Sequence, residues 1–153
     1  MNFANNITIV IVSHKSKKKL TNLIKDISNN IKIIIVENSL DKSIEIELSK
    51  LEKKIEIIFS ENNGYGSAIN LARAHVATKY FFVLNPDMQK IDDKLIKVFY
   101  ESAKELNDNF GALGPRFENV SEKSHKQSNI NEKYGLIDSI SGSAMFFCSE
   151  VFD

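Results

Sequence analysis

An apolar run ends in Asn85, Pro86 and Asp87. The amide of Asn85 and the carboxylate of Asp87 are suited to holding a metal ion. Pro86 has no N–H to donate to a strand ladder, so it ends the strand and leaves the Asp87 carboxylate clear of the sheet. Magnesium and manganese prefer oxygen ligands and often take one or two carboxylates beside the phosphates of a substrate. The tripeptide therefore predicts a Mg²⁺ or Mn²⁺ site at Asp87, where Asn85 supplies an amide oxygen or hydrogen-bonds the ligand. An Asn-Pro-Asp turn without a ligand is the alternative interpretation.

Other predicted strands also end in polar side chains. Ser13 and His14 follow the first strand, and Glu37 and Asn38 follow the second. Open α/β proteins bind ligands at the edge of the sheet where the carboxyl ends of parallel strands meet. A carboxylate such as Glu37 can accept hydrogen bonds there from a base or a ribose, although it could instead cap a nearby turn. The convergence of polar strand ends, more than any one motif, predicts a binding site at this edge.

The third strand is followed by the turn-rich stretch SENNGYG, residues 60–66, and then by a helix. Gly64 and Gly66 permit positive φ and a close backbone approach, and the free N–H groups of the helix can bind an anion. A tight turn without a ligand fits the same residues. A dinucleotide-binding fingerprint would need a third glycine where Ile69 stands, and it would normally follow the first strand. The sequence therefore disfavours a dinucleotide site.

Histidine and lysine residues give weaker signals. His14, His75 and His125 lack the spacing of metal ligands. Lys15 and the run Lys17 to Lys19 are interpreted as a solvated helix start that could also attract phosphate. No nucleophile and base occur together in a pattern that supports a hydrolase.

Strands and helices alternate through about the first hundred residues. This order predicts right-handed βαβ units on a parallel sheet. The polar segment Glu118 to Lys133 is expected to be a loop. The predicted strands are 7–13, 31–36, 55–59 and 80–84, with a short strand within 110–117 and one or two more within 135–147; the predicted helices cover 20–27, 44–51 and 67–78, and a fourth begins at Asp92 or Asp93 and reaches Leu106.

Composition places the chain among ordinary globular proteins. Its 153 residues are about one domain long, and twenty basic residues balance twenty acidic ones, which argues against binding to nucleic acid. The single cysteine, Cys148, can form neither an internal disulfide nor a cysteine-based zinc site. No apolar run reaches the ~20 residues of a membrane span, and MNFANN lacks the basic start of a signal peptide. These features predict a cytoplasmic location without a membrane span, and they leave peripheral membrane association of a longer protein open.

Six segments resemble family 2 glycosyltransferases with the GT-A fold, especially the rhamnosyltransferase-like branch. They occur in the family's order and extend over nearly the whole chain. The resemblance implies an α/β protein with a GT-A, Rossmann-like, three-layer α/β/α sandwich, a mostly parallel central sheet and one nucleotide-sugar-binding domain over residues 1–153. The segments are ITIVIVSHKS (7–16), IIIVENS (33–39), NNGYGSAINLA (62–72), YFFVLNPD (80–87), GALGPRF (111–117) and SGSAMFF (141–147).

The same resemblance implies roles for individual residues. Asp87 matches the last acid of the family's metal-binding Asp-x-Asp pattern, with Asn85 in place of the first. Glu37 departs from the Asp more usual at its position and is one methylene longer. Gly142 would border the sugar and the acceptor. The residues expected to bind the nucleotide sugar are Ser13, His14, Glu37, Asn38, Asn63, Gly64, Gly66, Asn70, Asn85 and Gly142.

The implied activity is inverting transfer of a sugar from a nucleotide-diphosphate sugar to an acceptor hydroxyl in glycan or polysaccharide synthesis. The LNPD residues, 84–87, suggest a deoxythymidine-linked rhamnose donor, and glycan, lipid-linked and protein acceptors all stay open. In the family the catalytic base is an acid downstream of the segment that SEVFD, 149–153, resembles. We therefore expect the base beyond Asp153, and we expect this chain to be the donor-binding part of a longer transferase, inactive alone.

Two other functions compete with this one. A non-catalytic nucleotide-sugar-binding module would need no base, and none can be named within the chain. A nucleotidyltransferase built on the same kind of sheet would need a glycine-rich phosphate loop with a basic residue near the N-terminus. The stretch SHKSKKK, residues 13–19, contains no glycine, so this third function is the weakest of the three.

Overall fold

The computed structural model describes residues 3–116 and 133–152, and within them six strands form one mixed sheet. The strand order is β3-β2-β1-β4-β6-β5. The first four strands pair in parallel, whereas β6 is antiparallel to both β4 and β5. The strands are β1 (Ile7–Ser13), β2 (Lys32–Glu37), β3 (Lys54–Phe59), β4 (Tyr80–Leu84), β5 (Ala112–Leu113) and β6 (Ala144–Cys148).

In the described ranges, five α-helices and one 3₁₀ turn, Phe3–Asn6, accompany the sheet. None of the helices in the described ranges is both long enough and apolar enough to cross a membrane. The helices are α1 (Lys17–Lys25), α2 (Ser43–Leu48), α3 (Tyr65–Arg73), α4 (Asp93–Glu105) and α5 (Ser149–Phe152).

Alternating side chains of each strand face two separate apolar layers. On β1, Ile7, Ile9 and Ile11 pack with the buried faces of α1, α2 and α4. Val10 and Val12 point the other way, into a second cluster with α3. Because both faces of the central strands are covered, those strands consist of apolar residues without polar alternation. The result is the three-layer α/β/α arrangement that was expected from the sequence.

The strand order reverses direction between β1 and β4. From β1 the chain moves outward on one side through β2 to β3, and β4 then returns to pair with the other side of β1. The loops that follow β1 and β4 therefore leave in opposite directions and open a crevice at the carboxyl edge. This crevice positions the candidate site.

The predicted strands agree with the structure, whereas three predicted helices differ from it at their ends. The helix expected over 20–27 is Lys17–Lys25, and the helix expected over 44–51 is Ser43–Leu48. The helix expected over 67–78 runs instead from Tyr65 to Arg73. It begins early because Gly64 adopts a φ of 97° as the residue before the first turn. It ends early because tight turns follow, in which His75 N donates to Ala72 O and Val76 N to Arg73 O. One strand is found within 133–152, and residues 118–132 of the expected loop lie outside the described residues.

A carboxylate ties the turn after α4 to the start of β4. Asp108 accepts hydrogen bonds from the fully buried Tyr80 hydroxyl and from the Lys79 ammonium. Burial on its own would raise the pKa of Asp108, but the hydrogen bonds from Lys79 and Tyr80 outweigh burial and hold the pKa below its ordinary value of 3.8. The ionised form of Asp108 therefore stabilises the fold.

Asp108→Asn tests this link, because asparagine also tolerates the positive φ of 61° at this position. A lowered folded-state pKa gives stability that is present above the unfolded pKa and is lost as the pH falls through the folded-state pKa. We expect the variant to reduce the free energy of unfolding by about 1–2 kcal/mol at neutral pH and by progressively less below about pH 4. Urea unfolding followed by circular dichroism at several pH values measures this. A difference that does not change with pH would contradict the assignment.

Candidate functional site

A cavity of about 310 Å³ lies at the carboxyl edge of the sheet, between the loops that follow β1 and β4. It includes residues from four segments that are distant in sequence, so the fold rather than local sequence assembles it. Most of the residues in its wall have polar side chains. The lining residues are Val12, His14, Ser16, Lys19, Asn38, Asn62, Tyr65, Asn85, Pro86 and Asp87.

Backbone hydrogen bonds continue past the strand ends and hold these loops in place. Asn38 N donates to Ser13 O at 2.8 Å, and Asn85 N donates to Ser143 O at 3.0 Å. Met88 N then donates to Asn85 O at 3.1 Å and closes the Asn-Pro-Asp turn. The turn predicted as the alternative to a metal site is therefore present, and it presents an exposed Asp87 carboxylate to the cavity.

Two buried polar atoms beside the cavity lack a protein partner. Ser13 Oγ and Asn38 Oδ1 make no hydrogen bond within the described residues. Ser13 is fully buried and Asn38 is 6% exposed, and Asn38 is part of the cavity wall. A buried polar atom without a hydrogen bond costs roughly 1–3 kcal/mol. Asn38 Oδ1 therefore keeps the capacity to accept a hydrogen bond that no described residue donates.

Glu37 makes the turn-capping contact that was its alternative interpretation. Its Oε1 accepts from Ser39 N at 2.9 Å and from the Ser39 hydroxyl. The residue is 1% exposed and does not line the cavity. Contact between Glu37 and a nucleotide remains a prediction.

The residues at the end of β4 fit a hard divalent cation. Asp87 and Asn85 both line the cavity, and Asp87 makes no hydrogen bond or ion pair with another described residue, so its oxygens are available. No group of three or more His, Cys, Asp or Glu residues gathers around a common point in the described ranges. The protein can therefore offer an Mg²⁺ or Mn²⁺ ion one carboxylate and one amide, and phosphate oxygens would have to complete its coordination.

Tyr65, which sequence reasoning missed, connects two loops at the cavity. Its hydroxyl donates to Gly142 O at 2.7 Å, and its ring lies against Gly142. Burial raises the pKa of Tyr65 to about 12, so the hydroxyl keeps its proton at neutral pH. Gly142 was expected to border the sugar, and it reaches the site through this contact although it is not in the cavity wall.

The other predicted residues divide into three groups, which lie in the cavity wall, buried next to it, or exposed outside it. His14, Asn38, Asn85 and Asp87 are brought together in the cavity wall, whereas Ser13 and Glu37 are buried next to it. Besides Tyr65, the wall contains three polar residues outside the predicted set, Ser16, Lys19 and Asn62. Asn62 stands one position before the predicted Asn63, so turn geometry decided which amide faces inward. Asn63, Gly64, Gly66 and Asn70 are exposed and are not part of the wall.

A family model described as glycosyl transferase family 2 matches residues 8–151, which include all of these residues. The chain belongs to glycosyl transferase family 2. The rhamnosyltransferase-like branch is not decided by this match. No curated protein matches the chain significantly.

Solved structures agree with the family on the fold. TarS from S. aureus in complex with UDP-GlcNAc is 15% identical over 94% of this chain and 45% of that chain, with a TM-score of 0.69. The mannosyltransferase PcManGT from Pyrobaculum calidifontis, solved with GDP-Man and Mn²⁺, is 12% identical over 95% and 45%, with a TM-score of 0.65. This family 2 domain therefore has the GT-A fold, and it spans less than half the length of either structure.

A nucleotidyltransferase shares part of the same architecture. CMP:2-keto-3-deoxy-manno-octonic acid synthetase in complex with CTP is 10% identical over 70% of this chain and 50% of that chain, with a TM-score of 0.52. Shared sheet topology at this identity shows the fold alone. The family match, together with a β1–α1 connection that contains no glycine, separates this domain from that enzyme class.

Tyr65→Phe tests the connection between the two loops of this family 2 domain. Loss of the hydroxyl removes the hydrogen bond to Gly142 O, so we expect faster amide exchange around residues 141–143 and a change of less than about 1 kcal/mol in the free energy of unfolding. Hydrogen-exchange mass spectrometry measures the local effect. Tyr100→Phe on α4 is the matched control, since the Tyr100 hydroxyl bonds to no described residue. Equal exchange in the wild type and Tyr65→Phe would rule out a restraining role.

Proposed function

We propose that this domain binds a nucleotide-diphosphate sugar together with Mg²⁺ or Mn²⁺ and presents the sugar for inverting transfer to an acceptor hydroxyl. The observation that supports this most directly is the cavity at the β1/β4 reversal. There an unpaired buried amide, Asn38, and a free carboxylate, Asp87, face the same space. The amide suits the hydroxyl and N–H groups of a nucleoside, and the carboxylate suits a cation on its phosphates.

The nucleoside is proposed to lie over the ends of β1 and β2. Asn38 Oδ1 would accept a hydrogen bond from the ribose or the base, and Asn38 N is held by the carbonyl of the buried Ser13. Ser39 N donates to Glu37 Oε1 and so fixes the orientation of this carboxylate. The second carboxylate oxygen, Oε2, would then contact the ligand. Gly142 and Tyr65 are proposed to border the sugar.

The diphosphate is proposed to lie beside Asn85 and Asp87. Asp87, with the Asn85 amide oxygen, would hold the divalent cation. When bound there, such an ion stabilises the negative charge of the departing diphosphate. The exposed carboxylate of Asp87 has no partner among the described residues, so its oxygens are available to a cation.

The transfer forms one bond and breaks another at the anomeric carbon of the sugar. The acceptor oxygen attacks that carbon, the bond to the diphosphate oxygen breaks with its electron pair, and the proton of the acceptor hydroxyl goes to a base. Attack opposite the leaving group inverts the configuration. Asp87 is the only carboxylate in the cavity wall, so the described residues place no separate base there, and we propose that the base lies downstream of Asp153.

The donor is proposed as a chemical class, a nucleotide-diphosphate sugar. The two similar structures were solved with UDP-GlcNAc and with GDP-Man, so related folds accept different nucleotides. The LNPD residues resemble the rhamnosyltransferase-like branch, for which a deoxythymidine-linked donor is proposed. Glycan, lipid-linked and protein acceptors in cytoplasmic glycan synthesis are all compatible with a cavity that is open to solvent.

A non-catalytic binding module is the second candidate function, because the cavity wall holds a single carboxylate. The two functions differ in turnover. Release of free sugar from the donor, or its transfer to an added acceptor, would support the enzyme. Donor binding without either reaction would support the module.

Asp87→Asn tests the metal site. We expect Mn²⁺ to tighten the binding of nucleoside diphosphates to the wild type by about tenfold or more, and we expect the variant to lose this gain because an amide binds the ion more weakly than a carboxylate. Isothermal titration of UDP, dTDP and GDP, with Mn²⁺ and with EDTA, measures the effect.

Glu101→Gln on α4 is the matched control for that experiment. It makes the same acid-to-amide change at an exposed position outside the cavity wall, so its Mn²⁺ response should equal that of the wild type. An unchanged Mn²⁺ response in Asp87→Asn would show that Asp87 does not hold the metal. Failure of all three nucleotides to bind the wild type would remove the proposed function itself.

A further inference from the structure

The first turn of α1 carries a charge pattern that opposes its own helix. Lys17, Lys18 and Lys19 occupy the first three positions, and no acidic residue accompanies them. The amino end of a helix has partial positive charge, so each cation there is unfavourable by a few tenths of a kcal/mol or more. Unfavourable local sequence preferences of this kind occur chiefly at functional sites, where a bound ligand can offset their cost in stability.

The same helix end also lacks a side-chain cap. Ser16 is the N-cap residue, but its side chain caps none of the first-turn N–H groups. Its hydroxyl donates instead to His14 O at 2.9 Å. Four N–H groups at the start of a helix have no partner within the helix, and an anion can satisfy them. The α1 start is thus both cationic and uncapped.

A second observation shows that this helix end faces a ligand site. Ser16 and Lys19 line the same cavity as Asn38, whose buried Oδ1 has no partner among the described residues. Asp87, the proposed metal ligand, lines the same cavity from the loop that follows β4. The cavity is therefore bordered by a cationic helix start and by a cation-binding carboxylate.

Only one of the three lysines is positioned to act in the cavity. Lys17 donates to the Ser43 hydroxyl at 3.2 Å, and Lys18 is exposed outside the wall. Lys19 lines the cavity and makes no hydrogen bond or ion pair with another described residue. Its ammonium is free to reach a ligand, and its long side chain allows it to do so.

The charges at the site leave a deficit that Lys19 can correct. The Asp87 carboxylate offsets half of the charge of a divalent ion, so the ion and Asp87 together offer one positive charge. Both phosphates of a nucleotide-diphosphate sugar are ionised at neutral pH. Asn85 and Pro86, which line the cavity from the same loop as Asp87, are neutral and supply no further charge. One phosphate charge remains, and a lysine ammonium is a suitable partner for it.

We propose that Lys19 is a phosphate-binding residue of the donor site, whose ammonium contacts the diphosphate from the α1 side while the metal at Asp87 contacts it from the β4 side. This rests on the proposed function and deepens it. Part of the affinity for the diphosphate does not require the metal, and this part depends on Lys19.

The test compares Lys19→Gln with the wild type by isothermal titration of the 153-residue chain. The probes are UDP, dTDP and GDP, each titrated with Mn²⁺ and again with EDTA, and the corresponding nucleosides without phosphate. We expect Lys19→Gln to weaken diphosphate binding by about tenfold in both conditions, the size of one charge-assisted hydrogen bond. Nucleoside binding should not change, because Lys19 contacts only phosphate.

Lys18→Gln is the matched control, with the same change in net charge at the adjacent exposed position. It should weaken binding by less than about twofold, since it alters only the screened surface field. Equal weakening by the two substitutions would overturn the proposal, because the effect would then come from the field and not from contact. Loss of all wild-type diphosphate binding in EDTA would also overturn it while leaving the metal-dependent donor site intact. Absence of binding in both conditions would overturn the proposed function, and Lys19 would lose its role with it.

Discussion

The parallel pairing of β1 with β4 is the constraint on which the site depends. β1 is the central strand, and it has β2 on one side and β4 on the other. Every residue of β1 is buried, so the position of this strand is set by packing on both faces. The loops that follow β1 and β4 leave the carboxyl edge in opposite directions, and the cavity lies between them. The strand order therefore determines where the candidate site lies, and individual side chains determine only what lines it.

Around this cavity the chain departs from rules that it follows elsewhere. The α4 helix is capped in the ordinary way, with the Asp92 side chain accepting from Leu95 N at 2.8 Å, whereas α1 has no side-chain cap and begins with lysines. Buried polar groups in proteins almost always have a hydrogen-bond partner. Asn38 Oδ1 is buried and has no such partner among the described residues. The two departures lie at one cavity, and each reduces the stability of the isolated domain slightly. A ligand with both hydrogen-bond donors and negative charge would compensate for both of them.

The sheet could be predicted from the sequence because its strands are buried on both faces and consist of β-branched and aromatic runs. The placement of side chains at its edge could not be predicted to the same degree. Choosing Asn62 over Asn63 requires the conformation of a turn whose Gly64 has positive φ, and choosing Lys19 over Lys18 requires the rotation of α1 against the sheet. Tyr65 gave no signal because its partner, Gly142, is 77 residues away. Local sequence identified the loops, and tertiary packing decided which of their residues face the cavity.

The antiparallel direction of β6 has a consequence for how the site is completed. Because β6 runs against β4, its beginning, and not its end, lies at the carboxyl edge of the sheet. Asn85 N donates to Ser143 O there, so the segment that carries Asp87 and the segment that carries Gly142 are joined through the main chain. A displacement of one segment when ligand enters would be transmitted mechanically to the other. The proposed metal ligand Asp87 and the proposed sugar contact Gly142 are in this way coupled by a main-chain hydrogen bond.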